Sequence, residues 1–394
     1  MINLYKLLSI TITGLLFVPA AALAQNTSGN TGNDNEFTTQ VFPTQYHRIQ
    51  LVKVAGPFEN PWAVAFLPDG RMLVTERPGR LNIVDGSAIT PVTGTPDVHA
   101  QGQGGLMEVA VHPAYEENGW IYLTWSKPDG EGNTATALVR GRLDGTSFTD
   151  MQELFVQNRY SSPGRHYGSK LAWTPDGHLL MSIGDRGADP PRAQNNTDHA
   201  GTLLRLNDDG SPADGNPFAG RDDALPEIYT YGHRNIQGLI VNPETGDIWS
   251  TEHGPRGGDE LNIHHAGANY GWPVATLGLD YRSQEEFPHA ETRYGADRGM
   301  ADPFYEFLPT HAPSGLALVT SDRFPRWKGN LLAGGLRSER IRRVVFDENE
   351  VLHEEELLLE AVGRIRDVRE GPDGYIYVVT DLADGALYRI QPAN

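Results

Sequence analysis

The sequence predicts an all-β chain, a six-bladed β-propeller of four-stranded antiparallel blades. The 44 glycines and 27 prolines are spread along the chain, which is typical of many turns between short strands. Helical periodicity is nearly absent. Six segments repeat one pattern, an apolar strand, a turn with Pro, Asp or Gly, and a second apolar strand that ends in Thr, Ser, Gly or Asp. They begin at Trp62, Leu106, Leu171, Leu239, Leu316 and Val368.

Each repeat has the features of an antiparallel hairpin. The Pro-Asp-Gly or Pro-Glu-Thr-Gly-Asp turn joins the two strands, and the second run, such as Tyr375–Thr380, is β-branched and aromatic at strand length. Six units of this size favour a six-bladed propeller. The spacing varies between units, so we expect long connections between blades to build a site on one face. The alternative is a two-sheet sandwich with chance hairpin similarity.

The N-terminus predicts export. Lys6 is followed by an apolar run from Leu7 that closes on small residues at Ala22 and Ala24, the pattern of a signal peptide over residues 1–24. The alternative is an uncleaved anchor. We expect residues 25–45 to be a flexible leader and residues 46–394 to form the propeller, without membrane insertion after cleavage. The chain contains no cysteine, so no disulfide stabilises it, and a bacterial periplasm is the predicted location.

The charge of the chain excludes some partners. The formal net charge is −19 and the pI is about 5.0. Nucleic acids and anionic membranes bind proteins through clustered Lys and Arg, which such a chain lacks overall. We therefore expect neither partner, and solubility is the simplest interpretation of the charge.

One loop has the composition of a calcium site. Residues 251–260 contain four glycines or prolines among acidic residues, including Asp259 and Glu260. Such a loop exposes backbone carbonyls, and hard oxygen donors of this kind suit Ca²⁺. The alternative is a tight turn with a solvated face.

A histidine and an aspartate have the spacing of a general-base pair. His166 opens the third repeat, and Asp185 lies nineteen positions later at the end of the next strand. These two ends can lie side by side in an antiparallel hairpin, where the carboxylate fixes the tautomer of the imidazole and raises its basicity. The alternative is a structural histidine at a blade edge.

Arginines cluster against the overall charge of the chain. Alternation along a strand puts Arg364 and Arg366 on one face, and Arg234 and Arg337 also follow turns between strands. Guanidinium groups suit planar carboxylates or phosphates. The alternative is ion pairing with surface acids.

Eight motifs in this order resemble a known family: Gln101-GQGGL, Arg165-HYG, Ile183-GDRG, Tyr231-GHRNIQG, Glu252-HGPRGGDE, Asn269-YGWP, Gly334-GLR and Gly363-RIRDV. The chain from about Tyr46 onward is similar to the soluble PQQ-dependent sugar dehydrogenases, the glucose/sorbosone dehydrogenase family, and to its compact aldose sugar dehydrogenases in particular. PQQ is a planar ortho-quinone with three carboxylates, which is a reason for an acidic protein to concentrate arginines.

The resemblance implies PQQ on the wide face of a propeller and two calcium ions. The residues that it assigns to PQQ are Gln103, Arg234, Asn235, Tyr281, Gly335, Leu336, Arg337, Ser338, Arg364, Ile365 and Arg366. Backbone oxygens of Gly254 and Pro255 would hold one Ca²⁺ against the quinone, and Glu260 with the backbone at Tyr270 would hold a structural Ca²⁺. Arg337 stands where glucose-oxidising members usually have Lys, which keeps the charge but changes the geometry.

The implied activity is oxidation of an aldose at C1 to the lactone. His166 would accept the hydroxyl proton, with Asp185 as its partner, while hydride passes to PQQ; Arg234 and calcium would stabilise the developing negative charge. An external acceptor would take the electrons. Two alternatives are a calcium-dependent propeller lactonase or sugar-acid hydrolase, and a non-enzymatic ligand-binding propeller. The sequence leaves both a monomer and a homodimer open.

Overall fold

The computed structural model describes residues 40–393, which form six antiparallel sheets arranged as the blades of a propeller. The predicted fold is therefore confirmed, and the two-sheet sandwich is wrong. The predicted signal peptide, 1–24, and the first part of the predicted leader lie outside the described residues. Strand β1 (Gln40–Pro43) falls within the range 25–45 assigned to the leader, and it pairs with β2 (Arg48–Phe58).

The first three blades follow in chain order, and short helices interrupt two of them. Blade 1 consists of β3 (Pro61–Phe66), β4 (Met72–Glu76), β5 (Arg80–Asp85) and β6 (Ala88–Val92). Blade 2 consists of β7 (Leu106–Val111), the helix α1 (Tyr115–Asn118), β8 (Ile121–Pro128), β9 (Thr134–Asp144) and β10 (Ser147–Val156). Blade 3 consists of β11 (Leu171–Trp173), β12 (Leu179–Ile183), a 3₁₀ turn (Pro190–Gln194), β13 (Thr202–Leu206) and β14 (Ile228–Tyr231).

The last three blades complete the ring. Blade 4 consists of β15 (Ile236–Val241), β16 (Ile248–Glu252), β17 (Asp259–Ile263), a 3₁₀ turn (Ala296–Arg298) and β18 (Tyr305–Phe307). Blade 5 consists of β19 (Pro313–Leu318), β20 (Leu331–Gly335), β21 (Ile341–Phe346) and β22 (Val351–Leu357). Blade 6 consists of β23 (Ile365–Glu370), β24 (Ile376–Thr380) and β25 (Gly385–Pro392), followed by β2 and β1.

The sixth sheet joins the two ends of the described chain. Strand β2 pairs antiparallel with β25, for example Leu51 with Ile390, so the first strands finish the last blade. Each repeat seen in the sequence contains the first two strands of one blade, and its hairpin turn lies at one face of the ring. The starts of the first strands and the ends of the second strands therefore meet at the opposite face, where the long connections lie.

The hydrophobic core is divided among the interfaces between blades. Residues 40–393 contain six buried apolar clusters, and each joins two neighbouring sheets. Trp62 and Val109, for example, share the cluster between blades 1 and 2, whereas Val64 and Leu387 share the one between blades 6 and 1. Each blade thus buries apolar surface against both of its neighbours, and loss of one blade would expose the clusters on its two sides.

Charged side chains cross the centre of the ring. The Lys170 ammonium lies 2.9 Å from Glu108 and 2.9 Å from Asp367, and its side chain is 2% exposed. Arg369 contacts the same two acids at 2.5 and 3.0 Å. Because Glu108 belongs to β7, Lys170 precedes β11, and Asp367 and Arg369 lie on β23, this central ion cluster links blades 2, 3 and 6.

No helix among the described residues has the length and apolar character of a membrane span.

Candidate active site

His166 and Asp185 form the pair that their spacing predicts. His166 lies ahead of β11 and Asp185 follows β12, so the antiparallel pairing of these strands brings the two together. Nδ1 of His166 is 2.6 Å from Oδ1 of Asp185. The backbone amide of Gly187 donates to the same oxygen at 2.7 Å, and the amide of His166 donates to Oε1 of Gln103 at 2.8 Å. The imidazole is thus fixed through Nδ1, which leaves Nε2 for a substrate proton.

The electrostatics of the pair favour a neutral imidazole beside a charged carboxylate. Burial lowers the pKa of His166, the Arg234 cation lowers it further, and Asp185 opposes them. Burial alone would raise the pKa of Asp185, but His166 and Arg234 outweigh burial and the pKa is lowered. A neutral imidazole can accept a proton at physiological pH, as a general base requires.

Arg234 closes one side of this pair. It precedes β15, lies 5.3 Å from the centre of the Trp272 ring, and donates from Nη1 to the carbonyl of His253 at 3.2 Å. His166, Asp185, Arg234 and Trp272 line one wall of an open cavity of about 480 Å³. Tyr281, which is exposed, lies on the same β17–β18 connection as Trp272 and lines the same cavity. The arrangement places a base and a cation beside one space that is open to solvent.

A second cavity, of about 160 Å³, adjoins the first at Gln103, which lines both. Arg77, Arg364 and Arg366 contribute three guanidinium groups to it, against the single carboxylate of Asp381. Arg364 and Arg366 both contact Oδ2 of Asp381, at 3.1 and 2.8 Å, so the two arginines do share a face. Burial would raise the pKa of Asp381, but these two cations outweigh it and lower the pKa.

Amide side chains also line the second cavity. Asn235 accepts at Oδ1 from the amide of Gly168 at 3.1 Å, and Gln237 accepts at Oε1 from Nη1 of Arg366 at 3.1 Å. Nε of Arg366 is buried, and no hydrogen-bond partner for it occurs within residues 40–393. The second cavity therefore combines excess positive charge, amide groups and an unpaired buried donor, which suits a planar anion with several carboxylates.

Beside Arg234 lies a small space lined by Glu252, Gly254, Glu260 and Tyr270. Glu252 and Glu260 are opposite each other on β16 and β17. Burial raises the pKa of Glu252 to about 8, and burial together with Glu252 raises the pKa of Glu260. Two buried carboxylates that face each other favour a bound cation or a proton between them.

The loop that follows β16 is tightly packed at Gly254 and contains backbone carbonyls without hydrogen bonds. Gly254 has no room for a side chain, because an added Cβ would lie 2.1 Å from the carbonyl oxygen of Gly257. Among the residues that the structure describes, no hydrogen bond reaches the carbonyls of Gly254, Pro255 or Tyr270. No group of three or more acidic, His or Cys side chains suited to a metal occurs in that same part of the chain. Backbone oxygens would therefore have to supply much of any cation's shell.

Several residues assigned by resemblance lie apart from the two cavities. Arg337 is exposed on the turn between β20 and β21 and is not among the residues that line either cavity. Gly335 ends β20, and Ser338 bonds to Nδ1 of His311 at 2.6 Å. Ile365 packs in the cluster between blades 5 and 6, whereas Leu336 lines the arginine-rich cavity.

Residue-by-residue interpretation of the sequence missed five side chains of this face: Arg77, Glu252, Trp272, Gln237 and Asp381. A signal for two of them was available. Glu252 and Asp381 end the second strand of their repeats or follow it directly, and Asp185 follows the second strand of its own. Alignment of the repeats on Asp185 would have drawn attention to both.

Comparison with known proteins gives concordant matches. The family model for Glucose / Sorbosone dehydrogenase matches residues 58–389. The aldose sugar dehydrogenase YliI of Escherichia coli K12 is 40% identical over 88% of this chain and 94% of its own. The crystal structure of the soluble aldose sugar dehydrogenase from E. coli in its apo-form superposes with a TM-score of 0.84, at 38% identity over 88% of this chain and 100% of that chain. The PQQ-bound form of aldose sugar dehydrogenase from Streptomyces coelicolor gives 0.71, at 26% identity over 91% and 99%.

Proposed function

Since the chain belongs to the glucose/sorbosone dehydrogenase family and is an oxidoreductase of the sugar dehydrogenase class, we propose that it oxidises aldoses at C1 to lactones with PQQ and calcium, and passes the electrons to an external acceptor. The observation that carries this proposal is the juxtaposition of the His166–Asp185 pair with the arginine-rich cavity. A hydrolase would need acidic and amide groups around a metal, but it would have no use for this excess of guanidinium groups.

The residues of the arginine-rich cavity fit PQQ. Arg364, Arg366 and Arg77 would neutralise its carboxylates, and the buried, unpaired Nε of Arg366 offers a free donor. Asn235 and Gln103 would bind the edge of the ring system. When bound, PQQ supplies the acceptance of the two electrons that leave the sugar. Tyr281 would also contact PQQ, because it lines the adjoining cavity.

The chain's own residues would carry out the proton transfer. His166 is neutral and fixed through Nδ1, so Nε2 can accept the C1 hydroxyl proton of a sugar bound in the wider cavity. Asp185 would stabilise the imidazolium that results. Arg234 would stabilise negative charge that develops near the wall it shares with His166.

Calcium would fit beside this wall. We propose one ion on the carbonyls of Gly254 and Pro255, and a second that uses Glu260 and the Tyr270 carbonyl, with Glu252 as an additional ligand that its position favours. Burial raises the pKa of both glutamates, and a divalent cation would offset the cost of holding two carboxylates there in their charged form. Export to the periplasm also remains a proposal, which rests on residues 1–24. The sequence supports no nucleic-acid partner, and a monomer or a homodimer are both compatible with the proposal.

We expect removal of calcium to lower both stability and activity. A site that is saturated at a hundred times its dissociation constant adds about 2.7 kcal/mol to the free energy of unfolding. Treatment with a strong chelator should therefore lower the melting temperature and abolish aldose-dependent dye reduction, and Ca²⁺ with PQQ should restore both. Equal melting curves and equal activity with and without chelator would contradict a calcium site in the 254–260 loop.

Loss of a guanidinium from the arginine-rich cavity should weaken PQQ binding. Arg364→Ala and Arg366→Ala each remove one charge-assisted contact, so we expect PQQ affinity to fall roughly ten- to a hundredfold, or about 1.5–3 kcal/mol. An absorbance titration of the cofactor-free protein with PQQ measures this. Arg337→Ala is the matched control, because Arg337 does not line the cavity. Unchanged affinity in both cavity variants would leave these arginines as partners of Asp381 alone.

A further inference from the structure

The second carboxylate oxygen of Asp185 also has a donor. Nε1 of Trp272 donates to Oδ2 of Asp185 at 2.8 Å, while Oδ1 accepts from His166 and Gly187. The indole, the carboxylate and the imidazole therefore form one continuous series of hydrogen bonds. Trp272 is 5% exposed, so water does not compete freely for this contact.

The position of Trp272 is set independently of Asp185. Trp272 lies on the connection between β17 and β18 in blade 4, whereas Asp185 follows β12 in blade 3. Its backbone amide donates to the carbonyl of Gly232 at 2.9 Å, and its carbonyl accepts from Nε2 of Gln194 at 2.7 Å. Its ring packs on Phe287 with 4.6 Å between the ring centres. The indole N–H is thus held in place by contacts other than Asp185, namely Gln194 and Gly232 of blade 3 and Phe287 of its own connection.

We propose that Trp272 is a positioning residue that fixes the carboxylate plane of Asp185 and withdraws part of its charge from His166. This inference rests on the proposed function, since it assigns the series Trp272–Asp185–His166 to proton acceptance from an aldose. The two donors on Oδ1 and the one on Oδ2 stop the carboxylate from rotating, so Nδ1 of His166 keeps its proton and Nε2 stays free.

The direction of the electronic effect follows from the charges that face each group. Asp185, Arg234 and Arg165 act on His166, and His166, Arg234 and Glu252 act on Asp185. A donor on Oδ2 stabilises the carboxylate charge and makes it a weaker acceptor for His166. Removal of this donor leaves Asp185 more basic, so the protonated form of His166 gains stability and its pKa moves upward.

The test is Trp272→Phe in the full-length protein, read by NMR titration of His166 in the cofactor-free state. We expect the pKa of His166 to rise by about half a unit. After loading with PQQ and Ca²⁺, turnover should fall roughly three- to tenfold, with the KM for the aldose unchanged. Trp249→Phe is the control, since Trp249 is a buried tryptophan of blade 4 in the cluster shared with blade 5. The Trp249→Phe variant should change neither the pKa of His166 nor the turnover.

Replacement of Trp272 by β-(3-benzothienyl)alanine serves if the phenylalanine variant does not fold, because sulfur then replaces only the N–H in a ring of the same shape. A His166 titration that matches wild type in these variants would overturn the proposal and reduce Trp272 to packing. A shifted titration in a protein that oxidises no aldose would support the positioning role and refute the sugar dehydrogenase activity, so the two failures are distinguishable.

Discussion

His166→Gln is expected to lower the turnover of aldoses by about 10²–10⁴-fold while PQQ still binds. Glutamine keeps the bulk of the side chain and some of its hydrogen bonding, but it cannot accept a proton. Absorbance titration measures PQQ binding and aldose-dependent dye reduction measures turnover. His178→Gln is the matched control, because His178 also lies beside an aspartate, at 3.1 Å from Asp176, but in the turn at the other end of the β11–β12 hairpin.

The pH dependence of turnover follows from the same assignment. The neutral imidazole is the active form, so activity is lost as the pH falls through the pKa of His166, which burial and Arg234 lower from the ordinary pKa of a histidine in the cofactor-free protein. Asp185→Asn should lower turnover less than His166→Gln, since the imidazole remains but loses its orienting charge. A normal rate of oxidation in His166→Gln would contradict the assignment, and the base would have to be sought among the acids of the same face.

Lys170→Met is expected to lower the free energy of unfolding by about 3–5 kcal/mol. The substitution leaves Glu108 and Asp367 buried with Arg369 as the remaining cation of the central ion cluster. Burial would raise the pKa of Asp367, but Arg369 and Lys170 outweigh burial, so the carboxylate is charged and loses one of its two stabilising partners. Denaturant unfolding followed by fluorescence measures the change.

Lys127→Met is the control for this experiment. Lys127 forms an ion pair of 2.6 Å with Glu153, but both side chains are partly exposed, at 30% and 46%. Such a pair contributes about 0–1 kcal/mol because water screens it. If Lys170→Met destabilises the protein no more than Lys127→Met does, the central ion cluster does not hold the inner strands together.

The sequence was sufficient for the fold because the hairpin is a local feature. A turn such as Pro175-Asp-Gly fixes the pairing of the strands beside it, and six repeats of this unit imply a ring. The closure of that ring was beyond the same reasoning. Strand β2 pairs with β25, more than 300 positions away, and no local pattern reports a pairing at that separation.

The same difference between local and distant contacts applies to the candidate site. The His166–Asp185 contact was predictable because both residues flank one hairpin. Trp272 reaches Asp185 from another blade, so that contact could not be derived from spacing, whereas Asp381 meets Arg364 and Arg366 across the β23–β24 hairpin of its own blade. The contact of Arg337 with PQQ stays a prediction, since a matched position in a motif does not fix where an exposed side chain of another size lies.

Because β2 pairs with β25, the sixth blade is complete only when both ends of the propeller sequence are present. A polypeptide that stops before Gly385 contains five finished blades, yet β2 is paired with β1 alone, and the apolar clusters on the two sides of blade 6 lose Leu387 and Ile390. Such a product exposes unpaired strand edges, which favour proteolysis and aggregation. Closure of the ring therefore requires residues 385–392, because only β25 covers the second edge of β2.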